Sequence, residues 1–141
     1  MEKTVDIKKL FNEKRYSEII LIVDHKIPEK QKNSALMNLV GVCRLLKSSK
    51  VNKTDLVEAI EDFRKAYRKE KKTSNSLEAF RNFINTSVNL YDFENTDDNH
   101  QKTLKNFEEA LSHFKKDQNY FSDDPQMLLS IIRIYTRLVD L

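Results

Sequence analysis

The chain has one glycine and two prolines among its 141 residues, so it has few of the residues that tight β-turns require. An all-β sandwich or a hairpin-rich fold needs such residues at regular intervals along the chain. Leu, Lys, Glu, Ala and Arg, by contrast, favour helices. The sequence therefore predicts an all-α protein.

Apolar residues recur every three or four positions in about seven segments, which is the period of an amphipathic helix. The third segment shows the pattern most clearly, at Leu36, Leu39, Val40, Cys43 and Leu46. Polar stretches at residues 48–53, 73–76, 92–100 and 115–124 separate later segments. Seven helices joined in this way predict antiparallel hairpins in a single domain, residues 1–141.

Several helix starts can be predicted from capping residues. We expect Pro28 to be the first residue of the third helix and Thr54 to cap the fourth. The sixth helix should start near Gln101. Asp124 followed by Pro125 fits the cap and the first residue of the last helix.

The second helices of the predicted hairpins carry a repeated triad. Its copies are Ala59, Phe63 and Ala66; Thr103, Phe107 and Ala110; and, in degenerate form, Ile19, Val23 and Lys26. The triad resembles the second-helix signature of the tetratricopeptide repeat, and Gly41 after Val40 resembles the Leu-Gly step of its first helix. The period departs from the regular one of about 34 residues, because residues 48–53 and 92–100 lengthen two turns.

The resemblance to tetratricopeptide proteins implies a right-handed α-solenoid that binds protein or peptide segments without catalysis. It also implies that Phe63 and Phe107 are the large knobs of their helix pairs. Residues 9–20 and 38–47 are in addition similar to the N-terminal repeat region of bacterial glycosyltransferases related to the O-linked N-acetylglucosamine transferases. The alternative is therefore an accessory region of a larger enzyme, with no sugar-nucleotide domain in this chain.

No set of residues predicts catalysis, a metal site or a cofactor. Cys43 lies on an apolar stripe, which favours a core cysteine over a nucleophile. The three histidines, His25, His100 and His113, lie far apart and form no metal-binding pair. The basic cluster at residues 64–72 ends a predicted helix, where cations offset the dipole; an anion site is the less favoured alternative.

Charge and hydropathy limit the partners. The 25 basic and 22 acidic residues are interspersed and leave a net charge of +3, which gives no support to nucleic-acid binding. The N-terminus has no apolar signal region, and the longest apolar run, residues 19–23, is too short to cross a bilayer. We expect a cytoplasmic protein with no membrane partner.

A polar stripe predicts a peptide-binding surface. Arg81, Asn85 and Asn89 are spaced by four residues and so share one helix face. Asn38 holds a comparable position one repeat earlier. The resemblance implies that this face lies on the concave side, where such arrays hold extended peptides. The alternative is that these are ordinary surface residues.

The last predicted helix, residues 126–141, carries apolar residues on more than one face, Leu141 among them. This is more apolar surface than a terminal helix exposes to water. We expect the chain either to be the N-terminal piece of a longer protein or to self-associate through this helix. The alternative is that the helix packs on the two preceding helices and buries both faces.

Overall fold

The computed structural model describes residues 6–139, which form eight α-helices and one 3₁₀ turn, Glu29–Gln31. No strand occurs in that range, which confirms the all-α prediction. Residues 1–5 and 140–141, and with them the predicted apolar end at Leu141, lie outside the described part. The helices are α1 Ile7–Asn12, α2 Tyr16–Lys26, α3 Ser34–Leu46, α4 Lys53–Lys69, α5 Ser74–Phe93, α6 Asp97–Lys116, α7 Gln118–Ser122 and α8 Pro125–Val139.

Helix starts depend on capping Asp, Asn and Thr side chains. Asp124 accepts a hydrogen bond from the Gln126 amide at 3.0 Å, which confirms the predicted start of α8. Thr73 and Ser76 form a reciprocal capping box at the start of α5. These caps satisfy amides that have no partner within their own helix.

Two predicted helix starts are wrong. Pro28 has extended backbone before the 3₁₀ turn, and α3 begins six residues later, where Asn33 accepts from the Leu36 amide at 2.9 Å. At α4 the cap is Asn52, which accepts from the Asp55 amide at 2.8 Å. Thr54 is already helical there, so its hydroxyl has no cap position to fill.

The predicted loop at residues 92–100 is also wrong. Helix α5 continues to Phe93 and α6 starts at Asp97, not near Gln101. The buried Asn99 amide donates to the carbonyls of Leu90 at 2.8 Å and Glu94 at 3.0 Å. These bonds satisfy carbonyl groups at the end of α5, so no long connection between α5 and α6 is needed. Helix α7 likewise lies within the polar stretch 115–124, which gives eight helices instead of seven.

Successive helices from α3 to α6 are antiparallel, and α8 runs parallel to α5. Arg133 donates to Asn85 at 2.9 Å, and Arg137 near the end of α8 donates to Asp92 near the end of α5 at 3.1 Å. The side-chain bonds from α4 to α6, from α3 to α5 and from α5 to α8 join residues 41 to 48 positions apart. The spacing between hairpins is therefore longer than a tetratricopeptide period.

The core consists of two apolar clusters. The larger surrounds α5 and contains Phe63, Phe83 and Phe107, all fully buried. The smaller joins α1 and α2 to α3 through Ile19, Val23 and Cys43 and their neighbours. Phe63, Phe107 and Cys43 are thus core residues, as expected from the sequence.

Gly41 allows α3 to lie directly against α4. A β-carbon built at Gly41 would lie 2.5 Å from the ring of Phe63, which is closer than non-bonded carbons approach. The Phe63 ring cannot move aside, because its side chain is fully buried. The single glycine of the chain therefore stands at a helix contact instead of a turn.

Gly41→Ala should destabilise the protein, although alanine is the better helix former by about 1 kcal/mol. Overpacking against a fixed ring costs about 1–3 kcal/mol, so the net loss in urea denaturation should be about 1 kcal/mol, with about 2 kcal/mol as the upper limit. Adding Phe63→Leu should make the alanine less harmful, because the ring it meets is gone. An unchanged or higher denaturation midpoint for Gly41→Ala alone would contradict the contact.

Candidate binding cleft

A cleft of about 500 Å³ lies between the C-terminal ends of α4 and α6, the start of α5 and helix α7. We call it the basic cleft. Aromatic side chains form its floor: Tyr67, Phe80, Tyr120 and Phe121. Arg68, Lys71, Lys72 and Lys116 contribute cationic groups to its lining. Its volume falls within the range of about 300–1,000 Å³ that ligand sites occupy.

The floor is built on Phe80, whose side chain is 1% exposed. Its ring centroid lies 5.0 Å from that of Tyr67, 4.6 Å from that of His113 and 5.1 Å from that of Phe121. These four rings come from α4, α5, α6 and α7, so the aromatic contacts hold all four helices together. The floor is consequently apolar and fixed in position.

One wall of the basic cleft is a partly buried network around Glu109. Its carboxylate accepts from Arg64 Nε at 3.0 Å, from Arg68 Nη2 at 3.0 Å and from the Tyr67 hydroxyl. Burial opposes ionisation of Glu109, but the bonds from Arg64 and Tyr67 hold its pKa below the usual range. Burial and the adjacent carboxylate raise the pKa of Tyr67. The network is therefore an ionised carboxylate held by a neutral phenol and two guanidinium groups.

The rim carries more positive than negative charge. Lys72 Nζ lies 2.9 Å from Asp117 Oδ2 and 5.7 Å from the centroid of the Tyr120 ring. Lys71 and Lys116 are exposed and form no ion pair within residues 6–139. Lys72 also has φ 55°, a left-handed conformation that favours glycine. A lysine is thus held at the rim in a backbone geometry that is unusual for it.

The structure pairs most of the predicted peptide-binding stripe with α8. Arg81 forms an ion pair with Asp124, and Arg133 donates to Asn85 at 2.9 Å and to Asn89 at 3.1 Å. The three side chains do share one face, as their spacing indicates. That face is turned towards the chain's own last helix.

Asn38, the fourth residue of the predicted stripe, is buried between α3 and α5. Its side-chain oxygen accepts from the Asn82 amide at 2.9 Å. A peptide that used this stripe would have to replace bonds that now join helices. Peptide binding by Asn38, Arg81, Asn85 and Asn89 stays a prediction.

The groups considered for catalysis lie in separate surroundings. Burial raises the pKa of the Cys43 thiol to about 11, since the side chain is fully enclosed in the smaller apolar cluster. His100 stacks on Tyr91 with centroids 4.0 Å apart, whereas His113 lies in the floor of the basic cleft. In the described range, no three His, Cys, Asp or Glu side chains are grouped so that they could hold a metal ion.

Helix α8 has an exposed apolar face. It consists of Leu128, Leu129, Ile132, Tyr135 and Val139, of which Val139 is 79% exposed, and we call it the α8 outer face. No exposed position of α8 is charged, because Arg133 and Arg137 turn towards α5. The opposite face, with Met127, is buried.

Within residues 6–139, no helix combines the length and the apolar character needed to cross a membrane.

Sequence reasoning missed the basic cleft, because its lining comes from four helices. The available signals were the basic cluster at residues 64–72 and the polar-aromatic stretch 115–124, but neither indicates that the two segments meet. Comparison with protein families, curated proteins and solved structures gives no match. The function therefore has to be argued from the residues themselves.

The free energy of unfolding should depend on pH through His113, which lies in the floor of the basic cleft. Burial, with Lys116 and Arg68 nearby, lowers its pKa below 6.5 in the folded state, while Glu109 and Asp117 oppose the shift. As the pH drops below 6.5, His113 takes up a proton in the unfolded chain before it does so in the folded chain. The free energy of unfolding therefore falls as the pH drops through 6.5. His113→Gln should flatten this fall in urea midpoints measured across that range. Equal slopes for the variant and the wild type would refute the role of His113.

Proposed function

We propose that the chain is a non-catalytic interaction scaffold of tetratricopeptide-like construction, which binds a segment of another protein in the basic cleft. The observation that carries this proposal is the combination of a fixed aromatic floor with a charged rim in a cleft of about 500 Å³. Apolar surface with a few fixed polar groups is typical of binding sites. The helical hairpins supply the scaffold.

The ionisable groups of the basic cleft favour binding over catalysis. Glu109 is bonded to two arginines and a tyrosine, and Asp117 is paired with Lys72. Such partners favour the ionised form of a carboxylate over the proton uptake that a general base requires, and the pKa of Glu109 lies below its usual range. The side chains of Arg68 and Lys72 are 58% and 62% exposed, so they can be reached from solvent.

Selection of random peptides displayed on phage should test the proposal. Peptides should be enriched on the wild type and lost on Ser112→Trp, which places a large ring at an exposed position of the cleft lining. Gln101→Trp is the matched control, because Gln101 is exposed on the same helix outside the cleft. Circular dichroism should show that both variants are folded. Failure to enrich any peptide, or equal retention on both variants, would rule the proposal out.

We propose in addition that two copies of the chain associate through the α8 outer face. Its five side chains together expose on the order of 500 Å², the size at which an apolar patch marks an interface. Because the face has no charge, two identical copies can meet there without like-charge repulsion. In an antiparallel two-fold pair centred on Ile132, Leu129 of one copy meets Tyr135 of the other.

Pairing of the two faces buries about 1,000 Å² in total, near the lower limit for a specific interface, so the dimer should be weak. Sedimentation equilibrium should show a mass that rises with concentration, and Ile132→Glu should abolish the rise. Leu21→Glu is the control, because Leu21 is 58% exposed on α2, compared with 54% for Ile132. A monomer at every concentration would reject the dimer. It would favour the alternative reading of the sequence, in which the chain is an accessory region of a larger enzyme and another segment covers the α8 outer face.

A further inference from the structure

We infer that the basic cleft binds an acidic segment that carries an aromatic side chain. This inference rests on the proposed function and specifies the partner of the same site. Four cationic groups line the cleft against two carboxylates, and both carboxylates already have cationic partners. Lys71 and Lys116 have no carboxylate partner within residues 6–139. The net charge that the cleft lining presents to a ligand is therefore positive.

The cations are only partly explained by the helices that carry them. Arg68 and Lys116 lie in the last turns of α4 and α6, where a positive charge offsets the helix dipole. Lys71 and Lys72 lie beyond the end of α4, in the connection to α5. Lys72 does so with a left-handed backbone, which costs free energy that a glycine would avoid. At this position its ammonium group pairs with Asp117 and lies over the Tyr120 ring, which keeps a positive charge on the rim.

The floor determines the second feature of the ligand. Phe80 and Phe121 lie behind its surface, 1% and 6% exposed, so a ligand meets Leu77, His113 and Tyr120, which are partly exposed in the lining. The Lys72 ammonium lies over the Tyr120 ring. Aromatic groups prefer tilted and edge-on neighbours, so an aromatic side chain can pack against Tyr120 and His113. A free phosphate or a purely polar chain would leave this apolar floor without a contact.

A peptide can supply both features. Neighbouring side chains in an extended segment point to opposite sides, so carboxylates can reach the rim while a ring between them faces the floor. A nucleic acid would use its phosphates on the rim in the same way. The 25 basic and 22 acidic residues of the chain leave a net charge of only +3, however, so there is no extended positive field to hold a long polyanion.

The probe is a fluorescein-labelled ten-residue peptide with one Phe between two pairs of Glu, measured by fluorescence anisotropy. It should bind the wild-type chain, and binding should weaken as NaCl is raised. Replacement of the four Glu by Gln, or of the Phe by Ala, should each weaken binding about tenfold or more. A labelled oligonucleotide of similar length should bind more weakly than the acidic peptide.

The protein variant Lys71→Glu with Lys116→Glu reverses the two unpaired rim charges and should weaken binding about tenfold or more. Lys69→Glu with Lys115→Glu is the matched control, because it makes the same change in net charge at exposed neighbouring positions outside the cleft lining. The control should change binding less than threefold, roughly the effect of a distant screened charge. Neither pair removes a buried group, so both variants should fold.

In the anisotropy measurements, any of four outcomes would overturn the inference: no binding of the acidic peptide, equal binding of the Gln peptide, tighter binding of the oligonucleotide, or equal losses for the two pairs of lysine variants. Each would leave the proposed function standing if the phage selection still yields peptides that depend on the cleft. If the selection yields none, the proposed function fails first. A selection enriched in basic or neutral peptides would reject the inference alone.

Discussion

The structure depends on the burial of α5 on every side. This helix packs against α3, α4, α6 and α8, and half of its twenty residues are buried. Apolar contacts alone would allow neighbouring helices to slide along it, because the hydrophobic effect has no direction. The hydrogen bond between Asn82 and Asn38 and the ion pair between Arg81 and Asp124 remove that freedom. A polar group buried at these contacts has a partner in only one alignment.

The sequence was sufficient to predict the helical class, many residues of the core and the start of the last helix. Periodic apolar residues identified Phe63 and Cys43 as buried, and Asp124 was recognisable as a cap because capping is a local interaction. The predicted loop at residues 92–100 was wrong for a tertiary reason. Asn99 is a polar residue in a polar stretch, but its amide satisfies the end of the preceding helix. Composition does not show which carbonyl an amide will meet.

The candidate site was harder to predict than the fold. The spacing of Arg81 and Asn85 placed them correctly on one face, but no periodic pattern reveals that α8 covers this face. The basic cleft depends on rings from four helices, and each ring alone looks like an ordinary core residue. Three of its four cations were visible in the cluster at residues 64–72, where the helix dipole offers a local explanation. Their position beside the aromatic rings of the cleft is what supports the proposed binding role.

The division of the core into two clusters has a consequence for how the protein opens. Helices α1 and α2 contact the rest mainly through α3, helped by an ion pair between Asp24 and Arg44 at 3.2 Å. Their separation would uncover one side of α3 and leave the rings around Phe80 covered. We expect their amides to exchange with solvent deuterium through this partial opening, well before those of α5. A ligand in the cleft would slow exchange in α4 to α7 and leave α1 and α2 as vulnerable to a protease as before.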